Sequence, residues 1–192
     1  MVAAYPPDTW FEGERQSAIR WARCLLEEKK FLILDTETTG VDDRAEVIQI
    51  GVIAPNGHVV YDGLVKPTHP IPERATAVHG ITNTDIATAI AFPYHHKALG
   101  RVLANHTVVV YNADFDRRIL RQSAAAHNLP EIAVGQWLCA MEEYARFVGE
   151  WSEWFQSFRW QKLPPIPGQK GHSALNDCRA TLAVLEKMAG VQ

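Results

Sequence analysis

Apolar residues in the first thirty positions recur at helical spacing: Phe11, Ala18, Trp21, Ala22 and Leu25. They predict a helix over residues 8–30, with Asp8 or Thr9 placed to cap it. At Phe31 the pattern becomes a short continuous apolar run, 31–34, that ends in charge and reads as a buried strand. Residues 46–53 and 58–65 are β-branched runs joined by Pro55-Asn56-Gly57, and Asn-Gly between such runs signals a hairpin. Short helices are predicted over 72–79 and 93–103, and a further strand over 108–111. Asn112 then caps a helix that reaches His127, stopped by Asn128 and Pro130. Another helix is predicted over 142–158, where Trp151, Trp154, Phe155 and Phe158 stand at i, i+3, i+4 and i+7. That spacing reads as a core or interface stripe rather than a base-stacking platform. Residues 163–171, with three prolines and two glycines, form a loop. Ser173 caps the last helix, which runs to Met188 and lines up Leu175, Cys178, Leu182, Leu185 and Ala189. Three strands, then helices, then strand–helix alternation predict an α/β fold: a mixed sheet covered by helices.

Composition narrows the function classes. With 47% hydrophobic and 21% charged residues, the 192-residue chain reads as one soluble globular domain, not a disordered or fibrous one. A domain of this size buries roughly 70% of its unfolded surface and needs no staple. The three cysteines, Cys24, Cys139 and Cys178, are far apart without a CxxC pair. Neither a zinc site nor a disulfide framework is indicated, and a reducing, cytoplasmic compartment fits best. The segment MVAAYPPDTWF lacks the basic and apolar regions of a signal peptide, and no stretch approaches a membrane span, so no membrane is expected as a partner. A net charge of −3 argues against coating duplex nucleic acid with bulk positive charge. It leaves open an enzyme that meets one phosphate at a time through a metal.

Three acidic clusters carry the candidate chemistry. In FLILDTETTG, Asp35 and Glu37 project from one face if the strand continues past Leu34. Two carboxylates about 6 Å apart at an effective dielectric near 20 repel by roughly 3 kcal/mol, and a hard divalent cation is the natural offset. In YNADFDRRIL, Asp114 and Asp116 begin a helix, where acids complement the helix dipole without any further role. Residues two apart on a helix point in different directions, so only one joins the Asp35 site, and periodicity does not choose between them. In GHSALND, His172 precedes the Ser173 cap and Asp177 follows it. Because the histidine lies outside the helix, the two side chains are free to converge.

DTETTG at 35–40, VHGIT at 78–82, YNADFD at 111–116 and H-x4-D at 172–177 occur together and in order. In this the sequence resembles the DnaQ-like (DEDDh) 3′–5′ exonucleases of the DEDD superfamily, of the RNase T and DNA polymerase III epsilon-subunit type, over roughly Phe31 to Met188. The resemblance implies an RNase H-like fold with a five-stranded mixed sheet, the second strand antiparallel to its neighbours. It divides the chain into a helical N-terminal extension, 1–30, and an exonuclease domain, 31–192. It implies metal-dependent release of nucleoside 5′-monophosphates from a 3′ end, with single-stranded DNA as the expected substrate. RNA trimming like that of RNase T or oligoribonuclease, and a polymerase-associated proofreading subunit, are the alternatives. The implied cofactors are two divalent ions, Mg²⁺ with Mn²⁺ able to substitute. Asp35, Glu37 and Asp177 match ligands of the nucleophile-side ion, with Asp35 bridging to a second ion anchored by Asp116, and His172 matches the general base. Thr38, Thr39, His79 and Phe115 match the neighbourhood of the terminal nucleotide. The implied partners are a nucleic acid 3′ end and either a DNA polymerase or a second copy of the chain.

Overall fold

The computed structural model describes residues 6–166 and 172–191. The chain opens with helix α1 (Asp8–Glu28), entered from Pro7 without a side-chain cap and ended by Lys29 in the left-handed region. It continues through strands β1 (Phe31–Thr38), β2 (Val47–Ile53) and β3 (Val59–Lys66), then helix α2 (Glu73–His79). Strand β4 (Ile90–Ala91), helix α3 (Phe92–Leu103), strand β5 (Thr107–Val110) and helix α4 (Ala113–Ala126) follow. Asn112 sits at the N-cap position of α4, but its side chain makes no capping bond. Strand β6 (Gln136–Cys139), helix α5 (Ala140–Val148), the small strands β7 (Trp151–Ser152) and β8 (Ser157–Phe158), and helix α6 (Ala174–Ala189) complete the chain.

Six strands form the main sheet in the order β4-β3-β2-β1-β5-β6. Strand β2 is antiparallel to both neighbours, and the other pairings are parallel. This is the expected α/β architecture with one strand more than expected. The pattern along the sequence also missed β6 and β4, a four-residue strand and a two-residue strand on the two edges. Each is too short to show alternation, and each is defined only by the neighbour it pairs with.

Strand β1 is buried on both sides, which explains its continuous apolar run. Leu32 and Leu34 face a core with Phe92, Leu99 and Leu103 of α3 and Ile119 and Leu120 of α4. Phe31 and Ile33 face the opposite core with Ala22 of α1, Tyr144 of α5 and Cys178, Leu182 and Leu185 of α6. Burying a side chain such as Leu34 or Ile33 stabilises by about 1.5–3 kcal/mol.

The helix expected over 142–158 is corrected. Helix α5 stops at Gly149, a left-handed C-cap at φ +82°, and the chain then pairs Trp151 with Phe158 and Ser152 with Ser157 as a small hairpin. The i, i+3, i+4, i+7 coincidence of aromatics is therefore not a helical stripe.

Candidate active site

Strand β1 continues to Thr38 and carries Asp35 and Glu37 to the end of the sheet, on the face covered by α6. Thr36, between them, points to the other face, where its Oγ1 donates to Asp116 Oδ1 of α4 at 2.7 Å. Two layers thus deliver carboxylates to the same end of one strand.

Helix α6 reaches the site because β2 lets it approach. Gly51 pairs with Asp35 across the β1–β2 ladder. A Cβ on Gly51 would lie 2.8 Å from the Ala174 carbonyl carbon and from Leu175 N, so only glycine admits the helix this close. Ala174 N donates to Gln49 Oε1 at 3.2 Å, and Ser173 Oγ accepts from Asn176 N at 3.4 Å. The Cys178 thiol, one residue past Asp177, donates to the carbonyls of Ile33 and Gly51. Asp177, in the first turn of α6, is thereby set beside β1. One carboxylate oxygen from each of Asp35, Glu37 and Asp177 lies within 4.8 Å of the other two. His172 is exposed, and its Nδ1 lies 3.3 Å from Asp177 Oδ2.

The electrostatics of this corner are unfavourable for bare carboxylates. Burial pushes the Asp35 pKa well up, helped by the charges of Asp116, Asp177 and Glu37. Burial and Asp177 push Glu37 up to about 7, against the lowering effect of His172. Asp116 is pushed up to about 7 by burial, against the hydrogen bond from Thr36. Burial raises Asp177 as well, and His172 pulls it back. Glu37 Oε1 is buried without a hydrogen-bond partner among the described residues. An all-oxygen donor set, clustered, mutually repelling and partly unsatisfied, fits a hard divalent cation.

The remaining sequence-predicted residues fall around this cluster. Thr38 Oγ1 donates to the Gly40 carbonyl at 2.7 Å, and Thr39 Oγ1 accepts from Glu46 N at 2.9 Å, so both hydroxyls hold the turn after β1. His79 ends α2 and is buried; its Nδ1 accepts from Ile81 N at 3.0 Å, and its Nε2 has no partner in hydrogen-bond geometry among the described residues. Burial pushes the imidazole pKa down, and the Thr38 backbone pulls it back up. Phe115 is half-buried, with the Arg118 guanidinium 5.3 Å from its ring centre. Asp114 is exposed, whereas Asp116 is 3% exposed. Sequence reasoning missed Thr36, Gln49 and Gly51. A glycine inside the β-branched run of β2 was the available signal for Gly51; Thr36 and Gln49 carried none.

A family model described as exonuclease, RNase_T, matches residues 32–185. The uncharacterized exonuclease CP81 of Escherichia phage 186 is 37% identical over 186 residues, spanning 91% of this chain and 93% of that protein. Exodeoxyribonuclease 10 of Escherichia coli K12 is 32% identical over 159 residues, 80% of this chain and 66% of that protein. Among solved structures, exonuclease X in complex with 5′-overhanging duplex DNA superposes with a TM-score of 0.56 at 26% identity, covering 84% of this chain and 94% of that one.

Proposed function

The chain belongs to the RNase_T exonuclease family, and from that premise we propose that it removes nucleoside 5′-monophosphates from the 3′ end of single-stranded DNA by metal-assisted hydrolysis. The observation that carries the reading is the convergence of Asp35, Glu37 and Asp177 within 4.8 Å, with His172 on their open side. The exodeoxyribonuclease relative and the DNA held by the exonuclease X structure support DNA as the polymer.

Asp35, Glu37 and Asp177 would hold one divalent ion, and Asp116 would help to hold a second, with Mg²⁺ as the ion and Mn²⁺ able to substitute. When bound, such ions lower the pKa of an attacking water and take up the charge that develops on phosphate and leaving oxygen. The chain's own residues do the rest. Asp177 orients His172: with Nδ1 protonated and facing the carboxylate, Nε2 is left to take a proton from the attacking water. Thr36 fixes the Asp116 carboxylate and keeps one oxygen occupied. His79, buried at the end of α2, supports the wall of the terminal-nucleotide pocket from behind. The turn at Thr38 and Thr39 and the half-buried ring of Phe115 bound the same nucleotide.

The test is degradation of 5′-labelled single-stranded DNA and RNA of one sequence, with Mg²⁺, with Mn²⁺ and with EDTA. The expected result is a ladder shortening from the 3′ end, faster on DNA, abolished by EDTA and absent in an Asp35→Ala, Glu37→Ala double variant. Activity that persists in the double variant overturns the assignment of the site, and release of the 5′ label as a mononucleotide from the start, without a ladder, overturns the polarity.

A further inference from the structure

The aromatics of the β7–β8 hairpin divide into two sets. Trp151 and Phe158 pack inward on α1, where Trp10 stacks on Phe158 with centroids 5.5 Å apart and meets Trp151 edge-on at 5.5 Å. The other set faces outward: Trp154 is 88% exposed, Phe155 76% and Trp160 70%. The inward set anchors the hairpin, so the outward set is not needed for packing. These three line a groove of about 950 Å³ together with Phe158, Arg159 and Lys162. Among the described residues, neither cationic side chain has a carboxylate partner. Glu150 also borders the groove, and its carboxylate accepts from the Gln161 amide.

The chain that borders the groove runs on from Lys162 to the cavity beside His172 and Asp177. Tyr111, the residue after β5, donates its hydroxyl to the Gln161 carbonyl at 2.9 Å and ties the segment after β8 to the turn that leads into α4, the helix that bears Asp116. The next residues, Leu163, Pro164, Pro165 and Ile166, line a cavity of about 180 Å³ with His172 and Asp177.

We infer that this hairpin and the segment after it bind the single strand upstream of the nucleotide being removed, with bases stacking on Trp154, Phe155 and Trp160 and phosphates meeting Arg159 and Lys162. A strand held by its last nucleotide must leave the site along some path. The segment from Trp154 to Ile166 leads to the cavity beside His172 and Asp177, and it carries large exposed rings and two cations that have no carboxylate partner among the described residues. Every base offers a π face, so such a surface holds strands with little regard to sequence, and each stacked base contributes roughly a five- to 150-fold gain in affinity. The inference rests on the proposed exonuclease reading.

The experiment compares the wild type, a Trp154→Ala, Phe155→Ala, Trp160→Ala variant and an Arg159→Ala, Lys162→Ala variant. Substrates are a DNA trinucleotide and a single strand of about 15 nucleotides, within the span that stacking grooves cover. The aromatic variant should raise KM for the long strand at least tenfold and leave trinucleotide cleavage within twofold, which also reports intact folding. The cationic variant should flatten the salt dependence of long-strand binding by about 1.4 in log–log slope, two phosphates at about 0.7 each. Long-strand binding to Asp35→Ala protein should quench tryptophan fluorescence, and the aromatic substitutions should remove that quenching. Unchanged KM on the long strand overturns the inference, as does an equal loss on both substrates, which marks a structural hairpin. If the wild type cleaves neither substrate, the exonuclease reading itself has failed; if it cleaves both and the variants match it, only the strand-binding surface has.

Discussion

Asp114 and Asp116 stand two residues apart on one helix, and a separation of about 200° decides their fates. Asp114 faces solvent, while Asp116 turns under β1 to the Thr36 hydroxyl. Asp116→Asn is expected to lower kcat at least a hundredfold under Mg²⁺, and Asp114→Asn to stay within twofold, read from initial rates on one oligonucleotide. His172→Ala should lower kcat by more than about tenfold, since a general base contributes roughly 10²–10⁴-fold, with little change in KM. A smaller fall would assign His172 to orienting rather than proton transfer. The sequence marked these acids as chemistry-bearing. It offered no sign of Thr36, whose role depends on a helix 80 positions away, nor of His79 Nε2, whose lack of a partner among the described residues is a property of its surroundings.

At the scale of elements, the approach of α6 to β2 is what assembles the carboxylates. A methyl group on Gly51 meets backbone rather than a flexible side chain. Gly51→Ala is therefore expected to destabilise by about 1–3 kcal/mol, as overpacking does, and to push Asp177 and His172 away from Asp35. Urea denaturation would read the first effect. Activity should fall by more than the folded fraction does; equal losses would separate the helix approach from catalysis. Helices α2, α3, α4 and α6 were legible because each alternates an apolar stripe with polar positions and ends at a recognisable residue. The hairpin was not legible. Its aromatics mimic a helical period, and only the left-handed turn at Gly149 together with the aromatic seat on α1 breaks it. Edge strand β4 lacked the length for any pattern, and β6, as short as β5, lacked the run of valines that marks β5.

Across the whole molecule, the metal-free fold holds several carboxyls whose folded pKa values are raised. Glu37 and Asp116 titrate at about 7, and Asp35 and Asp177 are raised too. For such groups the folded state binds protons more tightly than the unfolded one. Their stabilising contribution is complete below the ordinary carboxyl range and is lost as pH rises through about 7. His79, with its pKa lowered by burial, acts oppositely and weakens the acid side. In EDTA the midpoint of thermal unfolding is thus expected to fall between pH 6 and 8.5. Mg²⁺ or Mn²⁺ should raise it more at pH 8.5 than at pH 6, because the ligands must be deprotonated. Scanning calorimetry with and without metal checks this, and a metal effect independent of pH would contradict it. No helix among the described residues is long and apolar enough to cross a membrane. The α/β class, the central buried strand and the spacing of its acidic groups can be read from the order of residues, because periodicity and local chemistry act between near neighbours. Which acids share a site, how near α6 comes to β2, and which aromatics are left facing water are set only when the layers pack. Those outcomes depend on packing between residues far apart in the chain, where a single absent methyl or a hydroxyl from another layer sets the geometry.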